Sequence, residues 1–315
     1  MICRDFRSLA LVVGVLSAML ASSCELDPPG VTYGELQHDG QVRTYRLYVP
    51  PVQTKAPVPL LVGLHGGGGN GTQFGRGVGF DALALSEGFI AVYPDAIEGN
   101  WNDGREDPAI ESQRLGIDDV GFIRALVAHL ASTQSIDASR IYVTGPSNGG
   151  MMTLRLACEA SDVFAAAAPV IGNMPSALTP NCLPANSMPI QFINGMDDPL
   201  VPWEGGNVVV NGRPRGMVDS VEDSVALWAQ FNACDAPQPE EWLPDVDPSD
   251  GTRVWKRSYL NGTDGAEVIL YGIQGGGHDW PGSKGSSLRE GITGNTSQDI
   301  EATPLIWEFL SRFQR

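Results

Sequence analysis

Zinc-type cysteine spacing is missing from this sequence: its five cysteines, at positions 3, 24, 158, 182 and 234, include no C-x-x-C pair, which argues against a metal site. Basic residues are also few. Lys and Arg number 20 against 37 Asp and Glu, a net charge of −17, so nucleic acid and anionic polymers are poor partners and a neutral or weakly charged small molecule fits better. No internal repeat, low-complexity tract or Ser/Pro-rich linker divides the chain, and 315 residues can form one large domain. The longest apolar run, residues 8–20, is too short to cross a bilayer comfortably.

That run follows Arg4 and Arg7 and is expected to be a signal peptide over residues 1–23, which implies export. Ala21, Ser22 and Ser23 then lead into Cys24 in the manner of a bacterial lipobox, so Cys24 is the expected lipidation site and membrane anchor. Ala21, where such a motif usually has Leu, leaves ordinary cleavage nearby as the alternative. Residues 24–40 are expected to form a tether and residues 41–315 a single catalytic domain.

Residues 41–49 alternate polar and apolar side chains like a half-exposed strand. Short apolar runs at 59–66, 89–96, 140–145, 165–172, 189–195 and 267–273 predict buried strands, and helical periods occupy 118–132, 149–160, 220–232 and 298–313, with Pro304 marking a break or a first turn. Strands alternating with helices imply an α/β fold with a mostly parallel sheet covered on both faces. Residues 235–251 are expected to be an exposed loop insertion.

Within "YVTGPSNGGMM", residues 145–149 match G-x-S-x-G, the turn on which a serine nucleophile is presented between strand and helix. With 38 glycines in the chain, the match alone decides little. A serine needs a histidine to take its proton, and parallel-sheet hydrolases place their triad in the order Ser, acid, His. His38, His65 and His129 all precede Ser147, leaving His278 in "QGGGHDWPG", at the carboxyl end of a strand where ligands gather. Between the two, Asp197 and Asp198 follow a buried strand, and either can orient the imidazole.

An oxyanion hole needs backbone N–H groups unobstructed by side chains, and "HGGGGNG" (residues 65–71) supplies them after a strand; the expected donors are Gly67 and Asn148. The same loop also fits G-x-G-x-x-G through Gly66, Gly68 and Gly71, with Asp95 where a ribose-binding acid would stand. Against a dinucleotide site, Gly75, Gly77 and Gly79 should weaken the helix that would receive the pyrophosphate.

Six ordered blocks, "LHGGGGN", "YPDAIEGNWNDGR", "GIDDVGFIRAL", "DASRIYVTGPSNGGMM", "NGMDDPLVPWEGG" and "GGGHDWPG", resemble the secreted polyhydroxybutyrate depolymerase-like and feruloyl-esterase-like α/β-hydrolases, a family that includes the LpqC-type bacterial lipoproteins. The resemblance runs over most of the chain after the leader. It implies the α/β-hydrolase fold, ester hydrolysis through an acyl-enzyme without metal or organic cofactor, Ser147 as nucleophile and His278 as base. It favours Asp198, which stands immediately before the proline of its D-P-x-V-P segment, over Asp197. It also implies a Cys158–Cys182 disulfide, with Cys234 left free because a second family cysteine is missing near Asn261 and Gly262. Pro146, Asn194 and Met196 depart from the Leu, His and Thr usual at their positions.

The expected substrate is a small or polysaccharide-linked ester with an aromatic or short hydroxyacyl group, the alternative being a polyhydroxyalkanoate polymer or its oligomers. No separate binding module on a linker is visible, nor a long apolar lid, while Trp101 and Trp280 offer flat faces for an aromatic acyl group. No protein partner is implied. A reading of another class, a non-catalytic binding lipoprotein on a hydrolase scaffold, would leave a complete triad unexplained.

Overall fold

The computed structural model describes residues 27–51, 56–284 and 291–315; the expected signal peptide and Cys24 lie outside them. Strands β1 (Val31–His38), β2 (Gln41–Tyr48), β3 (Val58–Gly63), β4 (Ile90–Pro94), β5 (Ile136–Pro146), β6 (Ala166–Val170), β7 (Ile190–Gly195), β10 (Glu241–Trp242), β11 (Arg253–Tyr259) and β12 (Val268–Gln274) form one sheet in the order β1-β2-β4-β3-β5-β6-β7-β12-β11-β10. The six strands from β4 to β12 in that order are parallel, and antiparallel strands close both edges. A separate hairpin joins β8 (Gly206–Val210) to β9 (Arg213–Val218).

Alternation along the parallel strands divides the core in two. Leu60, Val62, Ile90 and Val92 face one side with Phe122, Ile123 and Trp228, while Leu61, Ala91 and Tyr93 face the other with Phe80, Ile306 and Trp307. The first layer is covered by α4 (Asp119–Thr133), α5 (Asn148–Glu159) and α6 (Val221–Phe231), the second by α1 (Gly71–Val78), α2 (Phe80–Glu87) and α7 (Ala302–Leu310), with a short α3 (Glu111–Arg114) before α4. Pro304 sits in the first turn of α7, where a missing N–H costs nothing. Every strand and helix expected from the sequence is present within a few residues.

One expectation needs correction. The tether expected over 24–40 is too long, because Val31–His38 pair along their whole length with β2 as an edge strand. The glycines of residues 71–79 do not prevent a helix: Asn70 caps α1 by accepting the Gln73 N–H, and a Cβ at Gly71 or Gly75 would stand 2.1 Å from the Tyr93 carbonyl or 2.7 Å from Arg46. These glycines let α1 lie close against β4. Residues 235–251 are largely exposed as expected, though Glu241 and Trp242 add a two-residue strand to the edge. Cys158 and Cys182 form the disulfide. Cys234 is free, and a Cβ at Gly262 would lie 2.9 Å from its sulfur, so the missing partner's place is occupied by glycine.

Candidate active site

Ser147 sits between β5 and α5 with φ 55° and ψ −121°, a conformation that a side-chain-bearing residue adopts only when its surroundings impose it. The surroundings here are backbone. A Cβ at Gly145 would come 2.4 Å from the Leu64 carbonyl oxygen, and one at Gly149 would meet the carbonyls of Leu64 and His65 at 2.4 and 2.6 Å. Glycine on either side of the serine therefore lets β3 and the following loop press against the turn, which pushes Ser147 outward. Its N–H donates to the Val170 carbonyl at 2.9 Å and fixes the turn to β6.

The carboxyl ends of β7 and β12 bring Asp198 and His278 together. A Cβ at Gly195 would lie 2.4 Å from the carbonyls of both Gly276 and Gly277, so these three glycines permit the approach. Asp198 is 8% exposed; its Oδ1 accepts the N–H groups of Leu200 and Val201, both at 2.8 Å, and its Oδ2 lies 2.7 Å from His278 Nδ1. A carboxylate can only accept there, so Nδ1 carries the proton and Nε2 is left with a lone pair. Asp197 is exposed, and its carboxylate makes no hydrogen bond among the described residues. Of the two carboxylates, Asp198 is the one joined to His278.

Behind the acid, Asn173 donates to the carbonyls of Pro202 and Asp219 and accepts from Asn194. Asn194 thus braces the loop after β7 from the position where the family usually has His. Ser147 and His278 line one cavity of about 730 Å³, with no hydrogen bond between them among the described residues. Such bonds commonly form only when substrate arrives.

Gly67 and Asn148 are neighbours: a Cβ at Gly67 would stand 3.6 Å from Asn148 Cβ. The Gly68 N–H bonds to Gly99 and the Gly69 N–H to Gly66, but neither the Gly67 nor the Asn148 N–H has a partner among the described residues. Asn148 also begins α5, where the helix dipole favours negative charge. Behind this loop His65 is buried; Ala96 N–H donates to its Nε2, so the ring proton is on Nδ1 and bonds to the Gly66 carbonyl. Burial pushes its pKa below the usual histidine value, which keeps it neutral.

The two tryptophans part company. Trp280 lines the cavity, its ring set edge-on to Phe74 and Phe80 and its Nε1 donating to Thr303. Trp101 does not line it and is fully buried, with its Nε1 donating to the His65 carbonyl and its backbone N–H to the Asn148 side chain. The expectation that Trp101 stacks on substrate is therefore replaced by a packing role under the loop of residues 65–71. Asp95 is likewise no ribose ligand here, since its carboxylate accepts the Gly71 N–H and the Thr44 hydroxyl.

The rest of the cavity wall escaped sequence reasoning. Val208 and Val210 reach it from the β8–β9 hairpin, whose turn residues Asn211 and Gly212 have φ of 51° and 71°. Asn-Gly between short apolar runs is a hairpin signal that was there to be read. Arg105 and Arg215 also line it, and the buried Asp103 links Arg105 to Asn148 by accepting from both.

Comparison with known proteins gives the family and the fold. Residues 43–198 match the family described as Esterase PHB depolymerase. "Putative esterase NocK" of Nocardia uniformis subsp. tsuyamanensis is 30% identical over 86% of this chain and 80% of its own length. "Feruloyl esterase B" of Piromyces equi is 31% identical over 70% of this chain and 39% of its own length, so the chain spans well under half of that relative. Among solved structures, an acetyl xylan esterase from Aspergillus awamori matches with a TM-score of 0.58 at 17% identity, covering 89% of this chain and 99% of that one, which shows the α/β-hydrolase fold. The chain is a carboxylic ester hydrolase fold member and belongs to the esterase/PHB depolymerase family.

Proposed function

We propose that this protein is an exported serine esterase in which Ser147, His278 and Asp198 form the triad and the Gly67 and Asn148 N–H groups form the oxyanion hole. The observation that carries the reading is the 2.7 Å contact from Asp198 to His278 Nδ1 beside a serine held at positive φ. His278 Nε2 takes the Ser147 proton as Oγ attacks the ester carbonyl. The two backbone donors receive the oxyanion, an effect worth about 3 kcal/mol per donor. Collapse expels the alcohol, which takes the proton from Nε2, and water repeats the sequence on the acyl-enzyme to release the acid.

The substrate reading is an aromatic or short hydroxyacyl ester. A cavity of about 730 Å³ walled by Phe74, Ile110, Val208 and Trp280 suits a compact acyl group rather than a long chain. Kinetics on methyl ferulate, a short hydroxybutyrate ester, a long-chain p-nitrophenyl ester and polyhydroxybutyrate film test this, with the first two expected to be cleaved best. Preference for the long chain or the film would overturn the substrate class and leave ester hydrolysis standing.

Export rests on residues 1–23, and anchoring on Cys24 as the lipidated residue. Mass spectrometry of the membrane fraction should find a diacylated Cys24, whereas an unmodified cysteine would remove the anchor.

A further inference from the structure

In a chain where acids outnumber basic residues nearly two to one, the described residues that line the catalytic cavity include two arginines and no lysine. Their donors are used differently. Arg105 gives Nε to Asp103 at 2.9 Å and Nη1 to the Arg215 carbonyl at 3.0 Å, and its Nη2 lies 2.9 Å from the same Asp103 oxygen, so its charge is paired inside the wall. Arg215 makes no side-chain hydrogen bond among the described residues. Its ion-pair contact, to Asp107 Oδ2, is 3.9 Å long, beyond hydrogen-bond reach.

The position of Arg215 is nonetheless well determined. Its carbonyl is held by Arg105. The next residue, Gly216, has φ +85°, and a Cβ there would stand 2.8 Å from Arg105 Cβ. Asp107 is 5% exposed, with Oδ1 accepting the Ala109 N–H and Oδ2 lacking any donor, so its charge keeps the guanidinium near. Asp279, the one acid among the described residues that line the cavity, is already committed to the Trp280 N–H and the Thr296 hydroxyl. Arg215 is thus a planar cation fixed at the cavity with unengaged N–H groups, and such a fork matches a carboxylate in a bidentate manner.

We propose that Arg215 reads a free carboxylate on the substrate. The preferred esters are then acid-bearing ones, such as short hydroxyacyl oligomers ending in a carboxylate or half-esters of dicarboxylic acids, over neutral esters of equal size. The inference rests on the esterase reading above and narrows its substrate class.

Two matched pairs test it, one for each side of the scissile bond: a hydroxybutyrate dimer as free acid and as terminal amide, and monomethyl succinate and methyl succinamate. In at least one pair kcat/KM should favour the acid by about tenfold or more, with the preference shrinking as salt rises. The acid-to-amide ratio should fall towards one in Arg215→Gln and be partly kept in Arg215→Lys, which retains the charge without the fork. A merely structural role would lower both members of a pair alike. A ratio near one in the native protein for both pairs, or an unchanged ratio in Arg215→Gln, would overturn the proposal. Calorimetry on Ser147→Ala protein separates this result from failure of the esterase reading. Acid-selective binding that disappears when Arg215→Gln is added supports carboxylate recognition even if native turnover were absent, an absence that would count against the esterase reading alone. Equal binding of acid and amide overturns the inference whatever the turnover.

Discussion

Replacing Ser147 with alanine should lower ester hydrolysis by about 10⁴-fold or more and leave the fold intact. The change removes one oxygen and nothing else. Alanine has the same Cβ, so the backbone at φ 55° is neither relieved nor further strained, and the N–H to Val170 and the carbonyl that accepts from Met151 both remain. Melting temperature and cavity geometry should therefore match those of the native protein. Any residual rate reflects the oxyanion donors and substrate positioning alone. Fluorophosphonate labelling of the native protein, lost in the alanine variant, gives the same answer without a substrate, and it separates an esterase from a binding protein on a hydrolase scaffold. Turnover within tenfold of native would remove Ser147 from the role of nucleophile.

The second large effect distinguishes neighbouring carboxylates. Asp198→Asn should cost about 10⁴-fold in kcat, whereas Asp197→Asn should stay within a few-fold of native. At Asp198 both oxygens are committed, one to two backbone N–H groups and the other to His278. An amide there has a single oxygen. If that oxygen keeps the two backbone donors, the NH2 group faces Nδ1 and selects the tautomer with its proton on Nε2, leaving no base for Ser147. If the amide turns over, two N–H groups face an NH2. At Asp197 an amide replaces a solvated carboxylate with no bond to lose. Rates for the two variants on one ester decide the assignment, and the reverse order would transfer the role to Asp197.

The parts of the fold legible in the sequence were those with a single physical cause. The central strands are buried on both faces and so read as short apolar runs, and α4, α5 and α6 show one apolar stripe against polar exteriors. Edge strand β1, with the sequence VTYGELQH and half its residues exposed, carries too little apolar signal to distinguish it from a tether. Chain order and residue scarcity singled out Ser147 and His278 as a candidate pair, since one histidine alone follows Ser147. Spacing could not choose between Asp197 and Asp198, because the choice depends on which way successive side chains point after β7. Trp101 was misread because its local sequence, rich in Asn, Asp and Gly, looks exposed, whereas the HGGG loop folds over it. Arg105 and Arg215, 110 positions apart, meet only through the hairpin, and no local pattern records that approach.

The disulfide has a consequence for the unfolded chain. It joins the end of α5, which follows Ser147, to the segment that leads into β7, 24 positions later, and the loop it closes contains β6, which lies between β5 and β7 in the sheet. Restricting a loop of that length removes about 3–4 kcal/mol of configurational freedom from the denatured ensemble in the chain-entropy description. When the sheet opens, the segments bearing Ser147 and Asp198 therefore remain tethered at short range, and the search that rebuilds the site begins from a smaller volume. That restriction persists only where thiols stay oxidised, so the cohesion of this half of the sheet is linked to the redox state of its surroundings.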